Sequence, residues 1–226
     1  MREDRFLADL FPTLGIMPGE IAVPPGDDCA ALRRPDGSLQ LVAVDQIVGQ
    51  RHYYTHGPDA AAPEQVGRKL LARNLSDIAA MGGTPAYCVV AAGLGPEQDE
   101  SWLRRFMQGI VELGQAFDVH MIGGDLAALP HDCVAALTIL GTVAENRVCR
   151  RSGARPGDLL CATGSFGSSL VTGHHLAFTP RCREGQWLAS GGWTQTMMDV
   201  SDGLLLDATR ICRASGVSLA LSAGSV

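Results

Sequence analysis

The residues with most to offer chemically are aspartates at breaks and element ends: Gly26-Asp27-Asp28, Asp45, Asp77, Gly123-Gly124-Asp125 and Asp199-Val200-Ser201-Asp202. Singly, each has an ordinary structural reading: a turn, a strand exit, a helix N-cap. Together they are the short oxygen-bearing side chains from which a fold assembles a Mg²⁺ site without one contiguous motif. Asp77 carries the physical argument. On a helix turning ~100° per residue, Val66, Leu70, Leu71, Leu75, Ile78 and Met81 share one arc with Asn74 and Asp77, and Arg68, Lys69, Arg73 and Ser76 fall opposite. A carboxylate on a buried face is costly unless paired or metal-bound. Asp77 therefore needs a cation, either a divalent metal or an arginine from another element. Asp45 ends the apolar run Leu41-Val42-Ala43-Val44 and offers a second carboxylate from a strand end.

Other motifs are weaker. Thr163-Gly164-Ser165-Phe166-Gly167-Ser168 reads as a turn into a helix, of a kind that can cradle phosphate. The pattern G-x-x-x-x-G-K-[ST] does not occur. His52 and His56 flank Tyr53-Tyr54 without further His or Cys at ligand spacing, His174-His175 reads as surface or packing, and no nucleophile elbow is visible.

The elements that must position these groups alternate between strand and helix. A short helix over 3–11 precedes the break at Pro24-Pro25-Gly26. Strands over 29–34 and 39–48 form a hairpin around Pro35-Asp36-Gly37, and a helix from Pro63 to about Met81 stops at Gly82-Gly83 and Pro85. Next come a strand over 85–94, an amphipathic helix over 99–117, a short strand over 119–122 and a longer one over 133–143. The breaker-rich segment Arg151 to Asp158 divides residues 1–150, a first domain, from 151–226, a partial second one whose ~70 residues are marginal for an independent core. In that second part a strand is expected over 159–162, helices over 168–177 and 203–214, and a strand over 217–221.

Composition narrows the function classes. The chain has 226 residues, of which 46% are hydrophobic and 19% charged, which excludes a disordered chain or a disulfide-stapled miniprotein. Its net charge is −6, and its 18 cationic residues include a single lysine, Lys69, so nucleic acid is not an expected partner. Seven cysteines without a C-x-x-C pair read as buried free thiols. No apolar stretch reaches the ~18 residues of a membrane span, and the start shows no signal-peptide core, so a cytoplasmic location is expected.

In order along the chain, the motifs resemble those of the thiamine-monophosphate kinase family, in the aminoimidazole ribonucleotide synthetase-like superfamily. The resemblance is carried by Gly26-Asp27-Asp28-Cys29-Ala30-Ala31-Leu32, Val44-Asp45-Gln46-Ile47-Val48 with His52, and Asn74-Leu75-Ser76-Asp77-Ile78-Ala79-Ala80-Met81-Gly82-Gly83. It continues through Ile122-Gly123-Gly124-Asp125, Arg151-Ser152-Gly153-Ala154-Arg155-Pro156-Gly157-Asp158, Thr163-Gly164 and Met198-Asp199-Val200-Ser201-Asp202-Gly203-Leu204. It implies an α+β fold: an N-terminal mixed sheet with flanking helices that binds ATP and Mg²⁺ and dimerises, followed by a truncated α/β C-terminal domain. The implied reaction is ATP-dependent phosphorylation of thiamine monophosphate to the diphosphate by a homodimer. Mg²⁺ ligands implied by the resemblance are Asp28, Asp45, Asp77, Asp125, Asp199 and Asp202. Gly124, Asp125, Arg151 and Ser201 are the implied nucleotide contacts, His52 a substrate contact, and Asp202 and Arg151 the catalytic pair. The chain departs from the family in having Ala43-Val44 where Ser-Thr is usual, Leu126 where Thr is usual, and no counterpart of roughly another hundred family residues. It reads as a fragment or a reduced relative. The other readings are a catalytically silent dimeric scaffold and an ATP-using synthetase of the same superfamily.

Overall fold

The computed structural model describes residues 3–222. Helix α1 (Glu3–Leu10) leads through a 3-10 turn into a six-stranded sheet. Its strands are β1 (Ile21–Val23), β2 (Ala30–Arg33), β3 (Ser38–Val48), β4 (Thr84–Leu94), β5 (His120–Ala128) and β6 (Cys133–Ala144), in the order β1-β2-β3-β6-β4-β5. Helix α2 (Pro63–Ala80) links β3 to β4. Helix α3 (Glu100–Phe117) is the crossover that lets β4 and β5 run parallel, and the other strand pairs are antiparallel.

One face of the sheet is the core. Leu39, Leu41, Ala43 and Ile47 of β3 alternate inward and meet Ala135, Leu137 and Ile139 of β6 and Cys88, Val90 and Ala92 of β4. Against them lie Val66, Leu70, Leu71, Leu75 and Ile78 of α2 and Phe106 and Ile110 of α3, each fully or almost fully buried. Burial of each large aliphatic stabilises by roughly 1.5–3 kcal/mol. The outer face carries Val44, Tyr87 and Val89 in the open.

Two glycines let the helices approach. A Cβ on Gly67 would run into the carbonyl of Phe106, and one on Gly109 into the carbonyl of Glu64, so α2 and α3 touch backbone to backbone at both points. Gln65 caps α2 by accepting the Ala62 N–H at 2.9 Å, Pro63 opens it, and Gly82, in the left-handed region at φ 70°, closes it. Helix α3 is capped by Asp99, whose carboxylate accepts the Trp102 N–H at 2.7 Å.

Beyond residue 150 the described chain is helical or irregular: α4 (His174–Ala177), α5 (Cys182–Gly191) and α6 (Leu204–Ser215). The strands expected over 159–162 and 217–221 do not form. Leu159, Leu160, Leu219 and Leu221 are exposed, and a single extended segment with no neighbour to complete its ladder gains nothing from strand geometry. The helix expected over 168–177 contracts to α4 because Gly173, at φ 70°, interrupts it. The short strand expected over 119–122 instead extends through Ala128, past both glycines, because β4 supplies partners as far as Leu94. Lys69 is also corrected: placed by helix periodicity opposite the core arc, it is buried, because α4 and α5 cover that side of α2. Its ammonium donates to the His52 carbonyl at 2.6 Å and meets His175 Nδ1 at 2.8 Å, while Arg68 donates to the Phe178 carbonyl at 2.8 Å. All seven cysteines are free thiols, five of them buried.

Candidate metal and phosphate site

Three aspartates from three different parts of the chain meet at one point. Asp28 arrives from the turn before β2, Asp77 from the last turn of α2, and Asp199 from the segment before α6. One oxygen from each lies within 4.8 Å of the other two. Among the described residues this is the one grouping of three or more His, Cys, Asp or Glu side chains close enough to hold a metal. The core dictates the approach of Asp77: at ~100° per residue it falls on the arc between Val66 and Leu70, both fully buried.

The polar inventory of the cluster does not close by itself. Asp28 has a fully buried side chain and gives one oxygen to Arg151, whose Nη2 lies 2.7 Å away. No donor reaches its other oxygen, Oδ2, and the buried Nε of Arg151 has no acceptor. A buried acceptor without a cation thus sits beside a buried donor without an anion. Among the described residues Asp77 and Asp199 take no arginine partner, so the alternative of a salt bridge to Asp77 is not what the fold uses.

Electrostatics agree. Burial, then the charges of Asp199, Asp45 and Asp28, push the Asp77 carboxyl up to about 9. Burial, then Asp28 and Asp207, push Asp199 up to about 8. Burial raises Asp28 to about 6 against the opposing pull of Arg151. Burial works against the charge of Arg151, yet Asp28, Asp27 and Asp199 outweigh it and raise its pKa. Three carboxylates that would rather be protonated than face one another become a good ligand set once a divalent cation neutralises them. The donor set, all oxygen and all hard, suits Mg²⁺.

Of the six aspartates implied as ligands, the structure brings together Asp28, Asp77 and Asp199. Asp45 lies close enough to act on the charges of Asp77 and Asp199, but both its oxygens are taken by Arg73, Nε to Oδ2 and Nη2 to Oδ1, each at 2.8 Å. Asp202 stands three residues along from Asp199, half exposed, with Oδ2 2.7 Å from Arg210 Nη1. Asp125 is exposed within β5 and is not a member of this grouping. Gly124 lies inside β5 beside Val90, where a Cβ would strike the Val90 carbonyl, so its lack of a side chain serves strand pairing. Ser201 is exposed on the turn between Asp199 and Asp202. His52 accepts the Val48 N–H on Nδ1 at 2.9 Å, so in the neutral ring the proton sits on Nε2. Burial, then Arg73 and Lys69, hold its pKa below the usual histidine value.

Three positioning groups escape a reading of the sequence. Asp27 accepts the Arg151 N–H on both oxygens at 3.2 Å and the Asp28 N–H at 3.0 Å, tying the start of the sheet to the 151 segment. Asp207, almost wholly buried, accepts the N–H groups of Asp202 and Gly203 at 2.9 and 3.1 Å and so fixes the turn that carries Asp199. Arg73 is the third. Helix periodicity places Asp207 four residues after Gly203, where a carboxylate can reach back to an uncapped helix start, and that spacing was the available signal.

Residues 26–143 match the family described as "AIR synthase related protein, N-terminal domain". The chain is 36% identical over 211 residues to the thiamine-monophosphate kinase of Salmonella typhimurium, covering 84% of this chain and 62% of the relative. It is also 36% identical over 222 residues to that of Synechococcus elongatus, covering 88% and 67%. The chain thus spans a little under two thirds of the first of these relatives. Its fold matches the solved structure "AaThiL complexed with AMPPCP and TMP" with a TM-score of 0.78 at 23% identity, covering 95% of this chain and 70% of that one.

Proposed function

The chain belongs to the AIR synthase-related family, alongside the thiamine-monophosphate kinases, and from that footing we propose that it takes part in ATP-dependent phosphorylation of thiamine monophosphate to thiamine diphosphate, with Mg²⁺. The observation that carries the proposal is the adjacent pair of unsatisfied buried atoms, Asp28 Oδ2 and Arg151 Nε. A metal-bound phosphate satisfies both at once, since the cation answers the carboxylate and a phosphate oxygen answers the guanidinium.

Asp28, Asp77 and Asp199 would hold the cation, which supplies neutralisation of the phosphate charge in a loose transition state. Arg151, pinned by Asp28 at one nitrogen and by the Asp27 bonds at its backbone, keeps Nε aimed at the same point. The acceptor is itself a phosphate, ionised at neutral pH, so the reaction requires no strong base from the protein; its requirements are charge and alignment. Asp202 and Ser201 ride on the turn fixed by Asp207 and line the approach for nucleotide phosphates. His52 presents a neutral Nε2–H donor for the thiamine-phosphate end, with Gly124 and Asp125 on β5 toward the nucleotide. We assign dimerisation to the outer sheet face, where Val44, Tyr87 and Val89 are exposed, and a cytoplasmic location fits the reading.

The test is calorimetric and enzymatic. Mg²⁺-dependent ATP binding is expected for the wild-type chain, with Asp77→Asn weakening it at least about tenfold while the protein stays folded, about 1.4 kcal/mol at the site. Thiamine diphosphate formation from ATP and thiamine monophosphate is the accompanying readout. ATP binding indifferent to Mg²⁺ favours the silent-scaffold reading.

A further inference from the structure

We infer that Arg73 is a built-in cation of this site: its guanidinium occupies Asp45 in place of a metal ion and leaves a divalent-cation set of Asp28, Asp77 and Asp199. The inference rests on the metal reading above and concerns which carboxylates that reading includes.

The contrast between two aspartates carries it. Both oxygens of Asp45 are matched by the planar fork of Arg73 at 2.8 Å each, a bidentate geometry that engages each oxygen and already compensates the charge a metal would neutralise. Asp28 also meets an arginine, but through one oxygen, and its second is buried and open. The strand end offers Asp45 no help in recruiting a metal, because Ala43 and Val44 bring no side-chain oxygen and a hard cation needs about six. Both partners are about three-quarters buried, so separating them would leave two partly buried charges without each other.

The placement of Arg73 also explains why it does more than a surface pair. It precedes Asp77 by four residues on α2, so the two side chains are neighbours on the helix, and its charge acts on Asp77 in the attractive sense. A guanidinium does not lose its proton at any working pH. The site therefore carries one permanent positive charge beside the three carboxylates before any metal arrives, and a second at Arg151. Fewer divalent ions are needed to bring two polyanionic substrates together.

Counting bound Mn²⁺ by electron paramagnetic resonance, with Mg²⁺ competition, tests this without relying on turnover. The double variant Asp45→Asn/Arg73→Gln removes the pair without changing net charge. It is expected to bind the same number of ions as wild type, with affinity within about twofold. Arg73→Gln alone uncovers Asp45 and is expected to bind one further ion, or to bind the existing one at least about tenfold more tightly. Loss of an ion, or a tenfold weakening, in the double variant makes Asp45 a ligand and overturns the inference while leaving the metal reading intact. An Arg73→Gln chain that behaves as wild type also overturns it. A wild-type chain that binds no Mn²⁺ overturns both readings.

Discussion

Residues 21–144 and residues 151–222 are stabilised in different ways. The first stretch makes its own interior: a six-stranded sheet whose inward side chains meet α2 and α3, with Leu39, Leu41, Leu70, Leu71, Leu75, Leu137 and Ile139 all at 0% exposure. The second has no strand among its described residues and few buried side chains. Those on α5 face α2, and the Cys182 thiol there donates to the Leu75 carbonyl at 3.5 Å. One region orders itself by burying apolar surface, and the other is held against it by a few apolar contacts, such as Leu176, Phe178 and Cys182, together with polar ties. The grouped carboxylates come from both, Asp28 and Asp77 from the first and Asp199 from the second, so the grouping depends on how firmly the second region is fastened to the first.

That contrast can be broken most sharply by truncation. Leu75→Ala should cost about 3 kcal/mol of unfolding free energy, whereas Leu160→Ala, at 40% exposure, should stay within about 0.5 kcal/mol. Equal shifts in urea midpoint for the two variants would end the comparison.

Next in size is the pH dependence at the seam. Asp77 and Asp199 titrate near about 9 and about 8 in the folded protein and near 4 when unfolded. Between those limits the folded state holds protons the unfolded chain releases, so their stabilising contribution is full below about pH 4 and fades as pH rises through 8 to 9. Without divalent cations, unfolding free energy should fall over that window by at least on the order of 2 kcal/mol. Mg²⁺ should flatten the slope, as read by thermal melts at pH 6 and pH 9 with and without it. A pH-independent melt would mean the two regions do not meet through these carboxylates.

Smaller still is Asp27→Ala. Loss of its bonds to the Arg151 and Asp28 amides should cost about 1–2 kcal/mol. Amide exchange should quicken in 151–222 and stay slow in 38–144, which would sharpen the distinction between the regions.

Legibility in the sequence divides along the same line. The helices over 63–81 and 99–117 and the strands over 39–48, 85–94 and 133–143 appear within a residue or two of their predicted bounds, because periodicity reports burial and these elements bury a face. The strands over 159–162 and 217–221 do not appear, because apolar content alone cannot say whether a partner strand exists. At the site, Asp77 was legible from its place on the buried arc, and Asp28 and Asp199 from their motifs. The Asp45–Arg73 pair was not, since helix periodicity put Arg73 outside the buried arc and says nothing of which strand end it meets. Lys69 misled for a related reason: a polar face looks solvent-bound until another segment packs over it.

The glycine contact between α2 and α3 reaches further than its own crossing. Gly67 lies ten residues before Asp77, which on an α-helix is about 15 Å along the axis. A methyl group at 67 or 109 would lever α2 away from α3 and pivot its far end, prising one wall of the carboxylate grouping from the other two. Two absent side chains thus bear on how close the proposed ligands stand, and an alanine at either place should damage ion binding without touching a single one of them.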